Sequence, residues 1–392
     1  MPQPLAGIRI ADFSHVIAGP LATHFLRLLG AEVIKVEPPT GDVLRNYTQR
    51  KELRGMAEPF ISTNAGKKSV VLDLKTEFGR EAARRLVETS DVLVENFRPG
   101  VIDRLGLGHD TFRDSHPSLI FCSISGYGQG GPMRDYPAID QIIQSVSGLM
   151  SLSGEPDSGP LRVGFPIVDT YSALLGAFAI QSALIQRERD PDRRGQFIDM
   201  SMLDASLVMM ASVVAPLVIS GIQPRRTGNR GFSLAPTADT FDTLDDPITI
   251  GAVQQIQYER LCAALDRPDL KSDPRYATPD LRMKHDRELQ GELAMTFRTR
   301  TALEWEETLS RHGVPAGAVR SVEDVLRLEQ LQGRNLKLDI SVPNAAVETA
   351  TILNAGFTFS HDGPGLSEAP PLLGEHTEEI LRSLGLAMPA DE

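Results

Sequence analysis

The opening part of the chain alternates short apolar runs with stretches whose apolar positions recur at helical spacing. Ile8 to Phe13 reads as a strand, Leu21 to Leu29 as a helix and Glu32 to Val36 as a second strand. Ser69 to Leu74 is extended, and Glu77 to Thr89 is helical behind a Thr76 cap. Val92 to Glu95 and Leu119 to Ser123 are again extended. Strands separated by helices pair in parallel, so the rhythm predicts an α/β fold: a parallel sheet with helices on both faces and ligands at the carboxyl ends of its strands.

After a charged loop, Arg187 to Arg194, the chain carries Gly195 to Ser201 and an apolar stretch from Ala205 to Ile219. That stretch is interrupted by Ser206, Ser212 and Pro216, which predicts a buried helix rather than a membrane span. Composition turns polar near Gln223 to Arg230. The chain to about Val319 then mixes short strands such as Ile248 to Ile250 with helices around Gln257 to Leu265 and Ala302 to Arg311, a smaller α+β domain. From Val322 a helix and an extended segment lead to the close, Leu373 to Leu381.

Composition narrows the function classes. The 392 residues suffice for two domains, and 41% apolar with 23% charged residues is ordinary for a soluble protein. A net charge of -12 argues against a nucleic-acid binder or an anionic-membrane binder, so any polyanionic ligand must meet a local basic patch. Cys122 and Cys262 are far apart with no metal-ligand spacing, and Met1 to Gly7 lacks a basic region followed by an apolar core. A reduced, cytoplasmic setting with no bound metal is expected.

The candidate chemistry sits in Arg162-Val163-Gly164-Phe165-Pro166-Ile167-Val168-Asp169-Thr170-Tyr171, where an extended approach meets a helical repeat formed by Tyr171, Leu174, Leu175, Phe178 and Ala179. The pattern places Asp169 at an N-cap, where free backbone amides and the helix dipole favour the ionised form at its ordinary pKa of about 3.9. Isolated aspartates before apolar helices are usually only caps. A dry, ionised carboxylate is also a nucleophile for a thioester. A dinucleotide reading fails, because the first turn, Ser14 to Pro20, lacks the three-glycine fingerprint. The glycine cluster Gly126 to Pro132 reads as a turn.

The segment Gly164-Phe165-Pro166-Ile167-Val168-Asp169 resembles the Gly-x-Pro-x-x-Asp signature of the class III CoA-transferases, which are related to alpha-methylacyl-CoA racemase. Further stretches resemble the family in order, from Gly7 to Pro20 through Asn64 to Leu74 and Asp91 to Gly108 to Gly374 to Thr377. The resemblance implies a Rossmann-like large domain built from residues 1–222 and 321–392, a small domain over 223–320, and an interlocked homodimer. It implies Asp169 as covalent nucleophile, acyl-CoA and a small carboxylate as substrates, and no prosthetic group. It also implies coenzyme contacts from His15, Val16, Ile17 and Ala18, from Leu72, Asp73, Leu74 and Lys75, and from Asn96, Phe97, Arg98 and Arg104. Gly128, Ile139 and Asp140 are expected near the reacting groups, with amides of Gly126 to Gly131, or donors from a facing subunit, as oxyanion donors. Taken singly, Arg98 and Arg104 read as solvated charges, and the paired Lys67 and Lys68 as merely exposed. The racemases carry Gly-His-Asp where this chain has Ala138-Ile139-Asp140, and isoleucine carries no proton, which favours transfer over epimerisation. Ile17, Ile139 and the segment Gly251 to Gln255 depart from formyl-CoA transferase, which puts oxalate specificity in doubt. A catalytically silent CoA-binding protein would not need the aspartate.

Overall fold

The computed structural model describes residues 2–344 and 347–387, and divides into two compact units. The first comprises the described residues of Met1–Leu149, Arg162–Gly221 and Glu329–Glu392; the second comprises Met150–Leu161 and Ile222–Leu328. The sequence division left Met150–Leu161 and residues 321–328 with the large domain, and both segments cluster with the smaller unit instead. Backbone contacts hold the first of them there: the Gly228 amide donates to the Gly154 carbonyl at 3.2 Å, and the Arg226 guanidinium to the Glu155 carbonyl at 3.3 Å.

The larger unit is built on six parallel strands in the order β3-β2-β1-β4-β5-β6. They are β1 (Arg9–Asp12), β2 (Glu32–Glu37), β3 (Lys68–Val71), β4 (Val92–Glu95), β5 (Ile120–Ser125) and β6 (Phe197–Ser201). β1 pairs with β2 on one side and β4 on the other, so the chain reverses its direction of travel across the sheet at that point, the place where open α/β sheets form a crevice. Alternation of side chains makes two cores. Ile10, Val33, Val94 and Ile124 pack beneath the helices Ala18–Leu28 and Ile167–Arg189. Ala11, Ile34, Val70 and Phe121 pack against Leu86 and Val87 of the helix Glu77–Glu88 and Ile380 and Leu381 of the helix Thr377–Ser383. The closing segment thus returns to the edge of the sheet, where Thr377 Oγ1 accepts the free Val71 amide at 3.0 Å and the His376 amide donates to the Ser69 carbonyl at 2.9 Å.

One strand escapes the sequence pattern, and one expectation changes. β6 carries exposed Phe197 and Asp199 on an edge strand, so its sequence lacks the continuous apolar run that marks the central strands. The stretch expected as one buried helix is two, Met202–Met209 and Ala211–Ser220, bent by 81°, and the second buries no side chain within this chain. The break falls at Met210, and Pro216 withholds an amide from the second helix. Among the described residues, Ile167–Arg189 alone is a single helix long and apolar enough to cross a membrane, a length and composition that core helices share.

The smaller unit has an antiparallel sheet of β7 (Thr240–Phe241), β8 (Ile248–Ile250) and β9 (Ala316–Ala318). Its core gathers Tyr258, Leu261, Phe297, Trp305 and Leu309 from the helices Gln255–Ala264, Asp286–Phe297 and Ala302–Arg311. Thr301 and Glu304 cap the last of these reciprocally, which fixes its start where the pattern predicted it.

Candidate active site

Asp169 is not the N-cap of its helix. It is the third residue of Ile167–Arg189, and the cap position is held by Pro166, whose side chain has nothing to donate or accept. The amides at this helix start are instead taken by Asp140, the first residue of the helix Asp140–Val146: its Oδ2 accepts from the Val168 amide at 2.8 Å and from the Asp169 amide at 3.1 Å. The cap comes from a residue nearly thirty positions upstream, which no local pattern records.

The electrostatic consequence reverses the sequence expectation. Burial, followed by the negative charge of Asp140, pushes the Asp169 carboxyl up to about 7. The helix amides that would have favoured its ionised form are already committed to Asp140.

Asp169 lines a cavity of about 220 Å³ with Val16, Ile17 and Ala18 from the turn after β1, Asn96 to Pro99 after β4, Ile124 to Gly126 at the end of β5, Arg134, Tyr136, Ala138 to Asp140, and Met202. A second cavity of about 230 Å³ is lined by His15, Leu72, Asp73, Leu74, Lys75 and Phe97, together with Phe13, Val36, Glu37, Pro38 and Leu105. Phe97 borders both, and its ring lies 5.8 Å from that of His15. Twelve coenzyme contacts were expected from the sequence; eleven line one or other cavity, at the carboxyl ends of β1, β3 and β4. Arg104 lines neither, although its guanidinium and that of Arg134 both approach Gly100, at 3.3 and 3.8 Å from where a β-carbon would stand there. Of the residues expected near the reaction, Ile139 and Asp140 line the Asp169 cavity and Gly128 does not; a β-carbon on Gly128 would face the Asp199 carboxylate instead. Within the glycine loop only Gly126 reaches this cavity, and the Gln129 amide donates to Asp199 at 2.9 Å, which removes it from the expected oxyanion donors.

The turn after β1 is held from beneath by a buried ionic network that composition does not announce. Lys67, expected to be exposed, is buried: its Nζ lies 3.0 Å from Asp12 Oδ2 and donates to the Pro20 carbonyl at 2.8 Å. Lys35 donates to the Ser14 carbonyl at 2.8 Å and lies 2.9 Å from Asp42 Oδ2. Burial alone would raise Asp12, yet Lys67, Lys35 and the hydroxyls of Ser14 and Thr23 bring it down to about 2. Burial also pulls Lys67 down to about 8, so both partners of the pair are charged at neutral pH. Lys68 is half-exposed and pairs with Glu32 and Glu379.

This network supports an unfavourable backbone. Val16 has a φ of 67°, a left-handed conformation that is costly for a β-branched residue. Its amide is oriented 3.3 Å from Asp42 Oδ2. The neighbouring His15 is clamped by Asn96, whose Oδ1 accepts from the His15 amide and whose Nδ2 donates to the His15 carbonyl, both at 2.8 Å. The Asn96 amide therefore shapes the turn with its oxygen and one of its two N–H donors. Gly19 completes the arrangement, since a β-carbon there would stand 2.2 Å from that of Ser14.

Several neighbours of the site escaped the sequence reading. Arg134 follows a glycine cluster that reads as a bare turn. Glu95 ends a strand whose pattern says only "buried", and its carboxyl accepts from the Phe97 amide at 2.8 Å and from the Ser123 hydroxyl. Burial pushes Glu95 up to about 7, against those two hydrogen bonds. Asp42 and Lys35 were not singled out from the sequence, and both are buried.

Comparison with known proteins matches this arrangement to a family. The model of CoA-transferase family III matches residues 5–377. The succinate–glutarate CoA-transferase of Agrobacterium fabrum is 34% identical over 97% of this chain and 96% of its own. The acetyl-CoA:oxalate CoA-transferase of Acetobacter aceti is 35% identical over 92% of each. A crystal structure of a CAIB/BAIF family protein from Brucella suis superposes with a TM-score of 0.87 at 34% identity, covering 98% of this chain and all of that one. On the strength of the match across nearly its whole length, the chain belongs to CoA-transferase family III.

Proposed function

We propose that the enzyme moves coenzyme A from an acyl-CoA donor to a small carboxylate acceptor, with Asp169 as the transient acyl carrier. The observation that carries this reading is the position of Asp169: half-buried, on the first turn of a helix, in a cavity walled by Val16, Ile17, Ala18 and Phe97 beside the reversal point of the sheet. Curated relatives named for succinate, glutarate and oxalate transfer agree with a carboxylate acceptor.

In the first step an Asp169 carboxylate oxygen attacks the thioester carbonyl, the carbon–sulfur bond breaks, and CoA leaves as thiolate. The thiolate attacks the aspartyl carbonyl of the resulting anhydride and releases the donor acid, leaving an aspartyl-CoA thioester. The acceptor carboxylate attacks that thioester to form a second anhydride. The returning thiolate attacks the acceptor's acyl carbon, which frees Asp169 as carboxylate. CoA enters and leaves as substrate, so the scheme requires no prosthetic group. Arg98 and Arg134, which line the Asp169 cavity, and Arg104 beside Gly100 supply the local positive charge that the anionic end of CoA needs on a chain of net charge -12. Arg104→Ala should raise KM for acyl-CoA about tenfold while kcat changes little, because a phosphate contact contributes equally to ground and transition states.

A panel of acyl-CoA donors with mono- and dicarboxylate acceptors, with hydroxylamine trapping of the enzyme-bound acyl group, tests the reading. Trapped label on Asp169 supports it; turnover without label there rejects it. The nucleophile must be ionised, so kcat/KM should climb as pH rises through about 7 and fall below it. Glu95 titrates in the same range, and Glu95→Gln should leave that limb in place if Asp169 is its source.

We also propose that two copies associate. Leu174, Phe178 and Ile185 on the long helix, and Val218 and Ile219 on Ala211–Ser220, leave apolar side chains more than half exposed. Sedimentation at micromolar concentration should give a dimer; a monomer would reject the proposal.

A further inference from the structure

We propose that Gln144 is a positioning residue for the nucleophile: its buried amide clamps the approach segment Val163–Asp169 to Asp140 and thereby sets where the Asp169 carboxylate stands. The inference rests on the reading of Asp169 as nucleophile. Gln144 lies one turn after Asp140 on the helix Asp140–Val146 and is completely buried. Its Oε1 accepts from the Val163 amide at 2.9 Å. Its Nε2 donates to Asp140 Oδ1 at 2.6 Å and lies 3.5 Å from the Phe165 carbonyl. The other oxygen of Asp140 takes the amides of Val168 and Asp169. One side chain therefore joins the start of the segment to the carboxylate that holds its end.

The orientation of the amide is dictated by its partners. A backbone N–H at Val163 requires an acceptor, and a carboxylate at Asp140 requires a donor, so Oε1 and Nε2 cannot be exchanged. A buried amide is costly unless such bonds are made, and here both ends are used. The extended residues before Asp169, interrupted by Gly164 and Pro166, form no regular ladder of their own, so this side chain supplies the tie that secondary structure does not. The helix Asp140–Val146 packs on the helices Ile167–Arg189 and Met202–Met209. The titratable group bonded to Gln144 is Asp140, whose other oxygen takes the Asp169 amide; Asp204, on the third helix, is exposed.

Two variants separate positioning from bulk structure. Gln144→Leu keeps the volume and loses both bonds; kcat should fall by about 10²-fold with KM for acyl-CoA unchanged, the usual consequence of a misplaced reacting group. Gln144→Glu keeps the shape. Ionised, it repels Asp140; protonated, its hydroxyl donates to Asp140 and its carbonyl accepts from Val163, as the amide does. The ratio of variant to wild-type activity should therefore rise as pH falls. Wild-type kcat in Gln144→Leu, or a flat ratio in Gln144→Glu, overturns the proposal, and if Gln144→Leu does not fold the ratio alone decides. Carbon-13 NMR of aspartate-labelled protein follows the Asp169 titration without any substrate. A titration displaced in the glutamate variant supports positioning, and an unchanged one rejects it. If Asp169→Ala turns over normally, the nucleophile reading fails, and this substrate-free measurement still judges the clamp.

Discussion

Asp169→Asn is expected to lower kcat by about 10⁴-fold or more, the scale on which enzymes lose rate when a covalent nucleophile is removed. The amide nearly matches the carboxylate in volume, and burial already pushes the Asp169 carboxyl up to about 7, so folding should be intact. Binding of CoA should persist, because the residues proposed to hold it, His15 to Ala18, Leu72 to Lys75 and Asn96 to Arg98, line the two cavities without depending on the charge of Asp169. Calorimetric titration with CoA beside a transfer assay measures both. Lost binding together with lost turnover would show a collapsed site, and retained turnover would remove Asp169 from the chemistry.

The largest expected loss of stability comes from Lys67→Met. The substitution preserves the aliphatic stem and removes the ammonium that faces Asp12 at 3.0 Å, leaving a fully buried carboxylate with Thr23, Ser14 and the more distant Lys35. Removing one partner of a buried pair costs about 3–5 kcal/mol, and the remaining hydroxyls and Lys35 place this case near about 3 kcal/mol. Urea denaturation would measure it. The sign of the pH response follows from Asp12. Its folded-state value is depressed, so its contribution to stability is present above the ordinary carboxylate range and is lost as pH falls toward about 2. In the variant Asp12 titrates higher, and acid unfolding should begin at a higher pH. Because the network supports the turn at Val16, KM for acyl-CoA should rise as well. A variant as stable as the wild type would show that Lys35 alone balances the charge.

The two substitutions touch parts of the molecule that differ in how visible they are along the chain. Central strands such as Val92–Glu95 and helices such as Glu77–Glu88 announce themselves, because a sheet covered on both faces demands apolar runs and each covering helix demands an apolar stripe. The candidate nucleophile was legible because Gly164 and Pro166 break the pattern just before a helix begins. The residues expected to meet the coenzyme followed from strand ends together with a family likeness, and eleven of the twelve line the two cavities.

What stayed hidden depends on pairings between distant residues. Lys67 looked like half of an exposed lysine pair, because nothing beside it in sequence records Asp12. Asp169 looked like a cap, because the true cap, Asp140, approaches from another helix. The stretch Ala205 to Ile219 looked like core on hydrophobicity alone, whereas Ala211–Ser220 presents its apolar residues outward.

By itself, then, the order of residues determined the α/β class, the main elements and the aspartate, since each depends on periodicity or on a local interruption of it. Only the tertiary structure decided the ionisation of that aspartate, the burial of the lysines and the clamp through Gln144. Those properties come from dielectric, charge and hydrogen-bond partners brought together across tens of residues, and such partners exist only once the chain has closed on itself.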